Sequence, residues 1–253
     1  MIGLIIFIFG LAIGSFLNVV ILRLKNRRSF LRGRSFCPKC KKKIVWYDNI
    51  PLLSFLLLAG RCRNCRKKIS WQYPLVELIT ALIFIWEYFL FGLTLKFFMT
   101  LIVSIFLLII FVYDLKYYLI LDRVTIPAMV IAFLANLFLG LGFLNLISGA
   151  IIGAGFFAFQ FFISRGKWVG DGDIRLGALM GLILGWKLLL VALFLAYLIG
   201  AIFGLILIAK NKKKMSSAIP FGPFLTFATF VTIFYGRNLL NWYLNLIYPP
   251  PLF

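Results

Sequence analysis

Long apolar runs follow one another along the chain, separated by short polar segments that carry most of the charged residues. The runs are continuous and lack the alternation over about ten residues that a transmembrane barrel strand would show. Most approach the ~20 residues that a helix needs to cross the hydrocarbon, and a helix satisfies its backbone polar groups within its own segment. The sixth run has only about 12 residues, so it is either partly re-entrant or extended through its glycines. The pattern predicts about eight transmembrane helices, at residues 2–22, 73–92, 97–113, 124–142, 145–163, 175–186, 188–209 and 219–236.

The composition favours the same fold class, an all-α polytopic membrane protein. Of the 253 residues, 63% are hydrophobic and 13% are charged, whereas soluble domains average about 45–50% and about 25%. There is no His, which excludes His-based triads and His metal sites. Charge begins only at Arg23, after the first apolar run. Residues 1–22 are therefore predicted to be a retained transmembrane helix and not a signal peptide, which has a basic start.

The distribution of charge predicts the orientation in the membrane. The net charge of +20 comes from 27 Lys and Arg against seven Asp and Glu. With eight spans, 24 of the 27 basic residues fall in loops on one side, and the exceptions are Lys96, Lys187 and Arg237. Because Lys and Arg accumulate in cytoplasmic loops, the basic loops are predicted to be cytoplasmic and both termini outside. This explains the charge without nucleic-acid binding, so no nucleic-acid partner is expected.

All four cysteines lie in the one sizeable soluble region, residues 23–72. They form two C-x-x-C pairs, Cys37 with Cys40 and Cys62 with Cys65, a spacing typical of a tetrathiolate zinc site. About fifty residues are few for an independent core, and small domains often depend on a metal or a disulfide. Two disulfides are the alternative, but thiols stay reduced in the cytoplasm. We expect a structural Zn²⁺, because four thiolates leave no open position for a substrate.

Two aspartates, Asp114 and Asp173, lie at the cytoplasmic ends of the third and sixth predicted spans. Acids this close to the hydrocarbon are costly and often functional. Two carboxylates that share a site do not readily both ionise, so one can act as general base on a water while the other, protonated, polarises a carbonyl. Gly170 and Gly172 would let a substrate approach the backbone closely. Alternatively, Asp114 pairs with a neighbouring Lys, and Asp171 and Asp173 cap the sixth helix.

Short motifs are spread over nearly the whole chain: Gly14-Ser15-Phe16-Leu17-Asn18, Asp48-Asn49-Ile50-Pro51, Tyr73-Pro74-Leu75-Val76-Glu77, Asp122-Arg123-Val124-Thr125-Ile126-Pro127, Gly170-Asp171-Gly172-Asp173 and Ile219-Pro220-Phe221-Gly222-Pro223-Phe224. With the cysteine pairs, they resemble the type IV prepilin peptidases, bacterial membrane aspartyl proteases of the G-x-G-D class. The resemblance implies that Asp114 and Asp173 are the catalytic pair. It also implies that a short basic leader is removed from prepilins or pseudopilins at the cytoplasmic face of the inner membrane.

The same resemblance implies a second activity and a division of the chain. The family methylates the new N-terminal amine with S-adenosyl-L-methionine, a step associated with the zinc-bearing loop. The implied regions are a first transmembrane helix (1–22), a cytoplasmic zinc-binding domain with the methyltransferase part (23–72) and a transmembrane peptidase domain (73–253). The implied partners are the prepilin substrates and the lipid bilayer.

Three positions near the proposed catalytic pair depart from the family pattern. Leu121 replaces the Pro that usually precedes the position of Asp122, and Arg175 stands where the family usually has Lys. Asp171 occupies the variable position of G-x-G-D, where it would influence the protonation of Asp173 or help to bind the basic leader. We expect support for the site from Gly170, Asp171, Gly172, Asp122 and Arg175.

Other features leave alternatives open. No glycine-rich Rossmann loop is present to bind S-adenosyl-L-methionine; Asp48 and Glu77 are the candidates, unless they only neutralise nearby Lys and Arg. An ion-coupled transporter could use Asp114 and Asp173 as its proton or cation site, although transporters commonly show repeated halves and no internal repeat is evident here. A non-enzymatic scaffold could use the zinc loop to dock a partner.

Overall fold

The computed structural model describes residues 1–25, 35–210 and 219–247. Within these ranges the regular secondary structure is helical, apart from two isolated β-bridges, and it includes one 3₁₀ turn at Trp46–Asn49. The α-helices are, in chain order, α1 (Ile2–Lys25), α2 (Leu53–Leu57), α3 (Gln72–Phe91), α4 (Leu95–Tyr117), α5 (Asp122–Phe138), α6 (Phe143–Ser164), α7 (Asp171–Ala209) and α8 (Gly222–Ile247).

Five of these helices are long and apolar enough to cross a membrane: α1, α3, α4, α6 and α7. The predicted fold class, an all-helical membrane protein, is confirmed to the extent of these five helices. The further predicted spans, which fall on α5, on the second half of α7 and on α8, stay predictions. The basic segments at 26–34 and 211–218, which contributed to the predicted orientation, lie outside the described residues.

Helix α7 has 39 residues but is interrupted at Gly185, whose φ of 71° and ψ of 168° are not helical. A break inside a membrane helix frees backbone groups that lipid does not satisfy. The side-chain nitrogen of Asn136 on α5 donates to the carbonyl oxygen of Leu182 at 2.7 Å. The side-chain oxygen of Asn145, on α6, accepts the N–H of Trp186 at 3.3 Å. The break coincides with the predicted end of the sixth span.

The chain forms two compact units, Met1–Ile105 and Phe106–Phe253, whose boundary falls within α4. In the first unit, α1 packs against α3. A Cβ atom at Gly10 would lie 2.6 Å from the Cα of Ala81 on α3, and one at Gly14 would be equally close to the α3 backbone. Small residues at this spacing let the backbones of membrane helices approach closely.

In the second unit, α6 and α7 pack through glycines on both helices. A Cβ atom at Gly153 would lie 2.6 Å from the carbonyl carbon of Gly177, and one at Gly149 would lie 2.7 Å from the carbonyl oxygen of Gly181. Gly155, in the same helix, would meet nothing within 4 Å. The four contact glycines therefore set how closely α6 approaches the helix that carries Asp173, whereas Gly155 does not.

We expect Gly153→Ala to lower the thermal stability of the purified protein in detergent, because overpacking a close contact costs about 1–3 kcal/mol. Gly155→Ala is the matched control. It should be neutral or slightly stabilising, since Ala is favoured over Gly in a helix by up to about 1 kcal/mol. Unfolding curves of the two variants and the wild type make the comparison, and equal losses in both variants would contradict the packing described.

Candidate functional site

The two aspartates singled out in the sequence come together in the second unit. Asp114 lies in the last turn of α4 and Asp173 in the first turn of α7. Their side chains are buried, with 5% and 7% of the residue surface exposed. They lie close enough for the charge of Asp114 to act on Asp173. The ends of two helices that are distant in the chain thus bring two carboxyl groups to one place.

Asp114 is held by the start of α8. The backbone N–H of Gly222, the first residue of α8, donates a hydrogen bond to the Asp114 carboxylate. A Cβ atom at Gly222 would lie 2.5 Å from Oδ2 of Asp114, so only glycine leaves room for this contact. The N-terminal end of a helix favours a negative charge. In the sequence, Gly222 stands out only as part of a motif, because a backbone donor has no signature of its own.

Asp173 has a structural contact of its own. Its Oδ2 atom accepts the N–H of Gly170, the N-cap residue of α7, at 2.9 Å. This contact is the reciprocal half of a capping box. Asp173 thus supports the cap from the third helical position, whereas the N-cap residue itself is Gly170 and not Asp171 or Asp173. Tyr197, from the second half of α7, lies close enough to interact with Asp173.

Gly172 is needed for packing. A Cβ atom at Gly172 would lie 2.8 Å from the Cβ of Ile120, and Ile120 also borders Gly222. A side chain at position 172 would therefore push Ile120 towards the start of α8, next to Asp114. Gly170, by contrast, would accept a Cβ atom in ordinary contact with Asp173.

Arg175 joins two further acids of the predicted set. It donates through Nη1 to Asp122 at the start of α5 and through Nη2 to Oδ2 of Asp171 at 2.8 Å. The side chains of Arg175, Asp122 and Asp171 are 37%, 51% and 69% exposed. Arg175 thus ties the start of α5 to the start of α7, the turn that carries Asp173.

The four cysteines form one cluster in the first unit. The Sγ atoms of Cys37, Cys40, Cys62 and Cys65 all lie within 4.8 Å of one another, and those of Cys37 and Cys65 are 4.0 Å apart. None forms a disulfide. Tetrahedral zinc with Zn–S bonds of about 2.3 Å requires sulfur atoms roughly 3.8 Å apart. The cluster therefore fits a metal ion, as the spacing predicted.

The two cysteine pairs lie in two backbone turns of the same type. The N–H of Cys37 donates to the carbonyl oxygen of Lys42 at 3.0 Å, and the N–H of Cys62 donates to that of Lys67 at 2.9 Å. The backbone N–H of Cys65 points at the sulfur of Cys62 and contributes most to lowering the pKa of this thiol to about 7. A thiol of lowered pKa is readily converted to the thiolate that binds a metal.

The two candidates for binding a cofactor have other partners. Asp48 forms a bidentate ion pair with Arg63, at 2.9 Å from Nε and 2.7 Å from Nη2. This hydrogen-bonded guanidinium lowers the pKa of Asp48. Glu77 is buried and accepts the N–H of Leu52 at 2.9 Å and a hydrogen bond from Ser15. Asp48 thus neutralises a basic residue, whereas Glu77 ties the loop to α1 and α3. The role of both residues in cofactor binding stays a prediction.

Two family models match the chain. The bacterial peptidase A24 N-terminal domain matches residues 8–91, and the type IV leader peptidase family matches residues 101–205. The first match covers the cysteine cluster, and the second covers Asp114 and Asp173. The gap between the two matches, residues 92–100, comprises the turn before α4 and the first residues of α4. It lies close to the boundary between the two compact units, which falls after Ile105.

Several curated relatives match over nearly their whole length. The prepilin leader peptidase/N-methyltransferase of Legionella pneumophila is 34% identical over 96% of this chain and 94% of its own. Proteins of the same name from Bacillus subtilis (strain 168) and Aeromonas hydrophila are 34% and 36% identical, over 96% and 95% of this chain and 98% and 93% of their own. No solved structure matches the chain.

We expect Arg175→Met to lower the free energy of unfolding by no more than about 1 kcal/mol, because its ion pairs are exposed and screened by water. The loss should shrink at high salt, where exposed charges interact less. Arg175→Lys keeps the charge, so its free energy of unfolding should lie between those of the wild type and Arg175→Met. Thermal unfolding at low and high salt measures all three proteins. A loss that is large and independent of salt would show that Arg175 acts through packing instead.

Proposed function

Since the chain belongs to the type IV leader peptidase family, we propose that it removes the basic leader from type IV prepilins or pseudopilins and N-methylates the new N-terminal residue. The family resemblance inferred from the motifs is confirmed, and with it the conclusion that the protein is an enzyme. The observation that carries the reaction type is the pair of buried aspartates at the ends of α4 and α7. Nothing observed favours a transporter or a scaffold.

The proposed peptidase reaction uses Asp114 and Asp173 as one unit that holds a single proton. The ionised member takes a proton from water, whose oxygen attacks the scissile carbonyl carbon, while the protonated member donates to the carbonyl oxygen. The C–N bond then breaks as the leaving amine takes up a proton from the pair, and a hydroxyl proton of the tetrahedral intermediate returns to the pair as the new carboxyl group forms. The backbone N–H groups of Gly222 and Gly170 hold the two carboxylates in place for these transfers.

Helix lengths support eight spans, and the distribution of Lys and Arg then puts the basic loops and the active site on the cytoplasmic side. Helix α7 has 39 residues, about 58 Å at 1.5 Å per residue, or roughly twice the hydrocarbon thickness. Its break at Gly185 allows each half to be a separate span. With α5 and α8, which have 17 and 26 residues, the number of spans is eight. Both termini then lie on the same side of the bacterial inner membrane, the outer side, opposite the basic loops.

The cysteine cluster is proposed to hold one structural Zn²⁺ bound by Cys37, Cys40, Cys62 and Cys65. The ion would supply folding energy to a loop that has few buried residues of its own. S-adenosyl-L-methionine supplies the methyl group in the second reaction, and the new N-terminal amine of the cleaved pilin accepts it. Asp48 and Glu77 remain the candidate residues for this step.

We expect Asp114→Asn and Asp173→Asn each to reduce prepilin cleavage by at least about 10²-fold, because neither amide can hold the shared proton. An Asn at 173 still offers an oxygen to the N–H of Gly170, so the cap of α7 is retained. Purified protein in detergent is given a prepilin, and the product is resolved by mass.

Folding of these variants is checked with a pilin that has already been cleaved. Wild type and both variants should add one methyl group to it when S-adenosyl-L-methionine is present. Cleavage that persists in either variant would remove that aspartate from the catalytic role. A wild-type product without the methyl mass would leave the protein a peptidase alone.

We expect purified protein to contain about one zinc ion per chain and Cys62→Ser to lose most of it, because a tetrathiolate site needs all four sulfurs. Asn64→Ser, between Cys62 and Cys65, is the matched control and should keep its zinc. Elemental analysis of the purified proteins gives the metal content. Full zinc content in the Cys62 variant, or disulfides in the wild type, would refute the site.

A further inference from the structure

The segment between the two cysteine pairs contains the short helix α2, and one face of this helix is exposed. Leu53, Leu56 and Leu57 expose 57%, 72% and 86% of their surface. Neighbouring exposed leucines indicate an interaction surface. The peptidase and methyltransferase reactions described above make no use of them.

One hydrogen bond sets the depth of this surface relative to α3. The N–H of Leu52, directly before α2, donates to Oε2 of Glu77 in the second turn of α3 at 2.9 Å. Helix α3 has 20 residues, about 30 Å, which only just equals the hydrocarbon thickness. Its first turns must therefore lie at the inner boundary of the hydrocarbon. Helical side chains lean towards the helix start, so Leu52 and α2 lie level with that boundary.

A second contact fixes which side of α2 faces outwards. The ring of Phe55 packs against that of Trp71, which directly precedes α3, with the centroids 5.0 Å apart. Trp71 is itself 70% exposed, and Trp is enriched at the membrane–water interface. Because Phe55 faces the protein, the remaining leucines of α2 face away from it, at the same level.

The charges around α2 indicate what covers it. Exposed basic residues flank the helix on both sides in the chain: Lys41, Lys42, Lys43, Arg61, Arg66, Lys67 and Lys68. An apolar helix flanked in the chain by clusters of Lys and Arg, here called the basic rim, is typical of an element that lies in the interface of an anionic membrane. The basic leader of a prepilin would be repelled by the same rim.

We propose that α2 is immersed in the cytoplasmic leaflet, with Leu53, Leu56 and Leu57 among the acyl chains and the basic rim on anionic lipid phosphates. The zinc-binding loop is then anchored to the membrane between its two cysteine pairs, in addition to its attachment to α1 and α3. This anchor does not depend on which reactions the protein performs.

The full-length protein with Leu57→p-benzoylphenylalanine, in nanodiscs of phosphatidylethanolamine and phosphatidylglycerol, tests the proposal. After irradiation, peptide mass analysis should find a lipid adduct at position 57. Phe89→p-benzoylphenylalanine, at an exposed position of α3, is the positive control. Asn64→p-benzoylphenylalanine, in the polar turn between Cys62 and Cys65, is the matched comparison and should give at least about tenfold less adduct.

Adducts at positions 57 and 89 with little at 64 would support immersion. An adduct at 89 without one at 57 would overturn it. A prepilin added in excess distinguishes the other occupant of this surface: replacement of the lipid adduct at 57 by a crosslink to the prepilin would mean that α2 is a substrate-docking surface and not a membrane anchor. Melting temperatures of all three variants in the nanodiscs show that each is folded.

Discussion

The hydrocarbon contains no water to satisfy a polar group, and the polar contacts between the described helices follow from this constraint. Asn136 and Asn145 bond to backbone groups next to the break in α7. Asn18 on α1 donates to a backbone carbonyl at the start of α3 at 3.1 Å, and Ser104 on α4 donates to the fully buried Glu87 on α3. Each contact joins two helices, so the pairing that removes a desolvation cost also fixes how the helices pack.

The same constraint explains why the aspartate pair lies at helix ends. The first N–H groups of a helix have no partner within the helix, and they favour negative charge. Asp114 receives the N–H of Gly222 at the start of α8, and Asp173 receives that of Gly170 at the start of its own helix. Among the described residues, these buried carboxyl groups are thus stabilised by backbone N–H groups and not by a basic side chain.

Features encoded by local pattern could be predicted from the sequence, and features that depend on helix packing could not. The apolar runs predicted the helices, and the two C-x-x-C pairs predicted the cluster of Cys37 and its partners. The partner of Asp114 escaped prediction because Gly222 contributes only a backbone N–H. Asn136 was missed because nothing local shows that it faces a break in another helix. Glu77 was considered for its charge, whereas the structure uses it as a hydrogen-bond acceptor for Leu52.

The partners of the acids show which of them are suited to hydrolysis. In the first unit Asp48 is paired with Arg63, and Glu77 and Glu87 accept hydrogen bonds that tie structural elements together. In the second unit Asp114 and Asp173 are buried near each other, and among the described residues no Lys or Arg forms an ion pair with either. Two neighbouring buried carboxyl groups without a counter-ion do not readily both ionise, which favours the proposed sharing of one proton. A shared proton provides a base and an acid at the same moment, which is what the attack of water on a peptide bond requires.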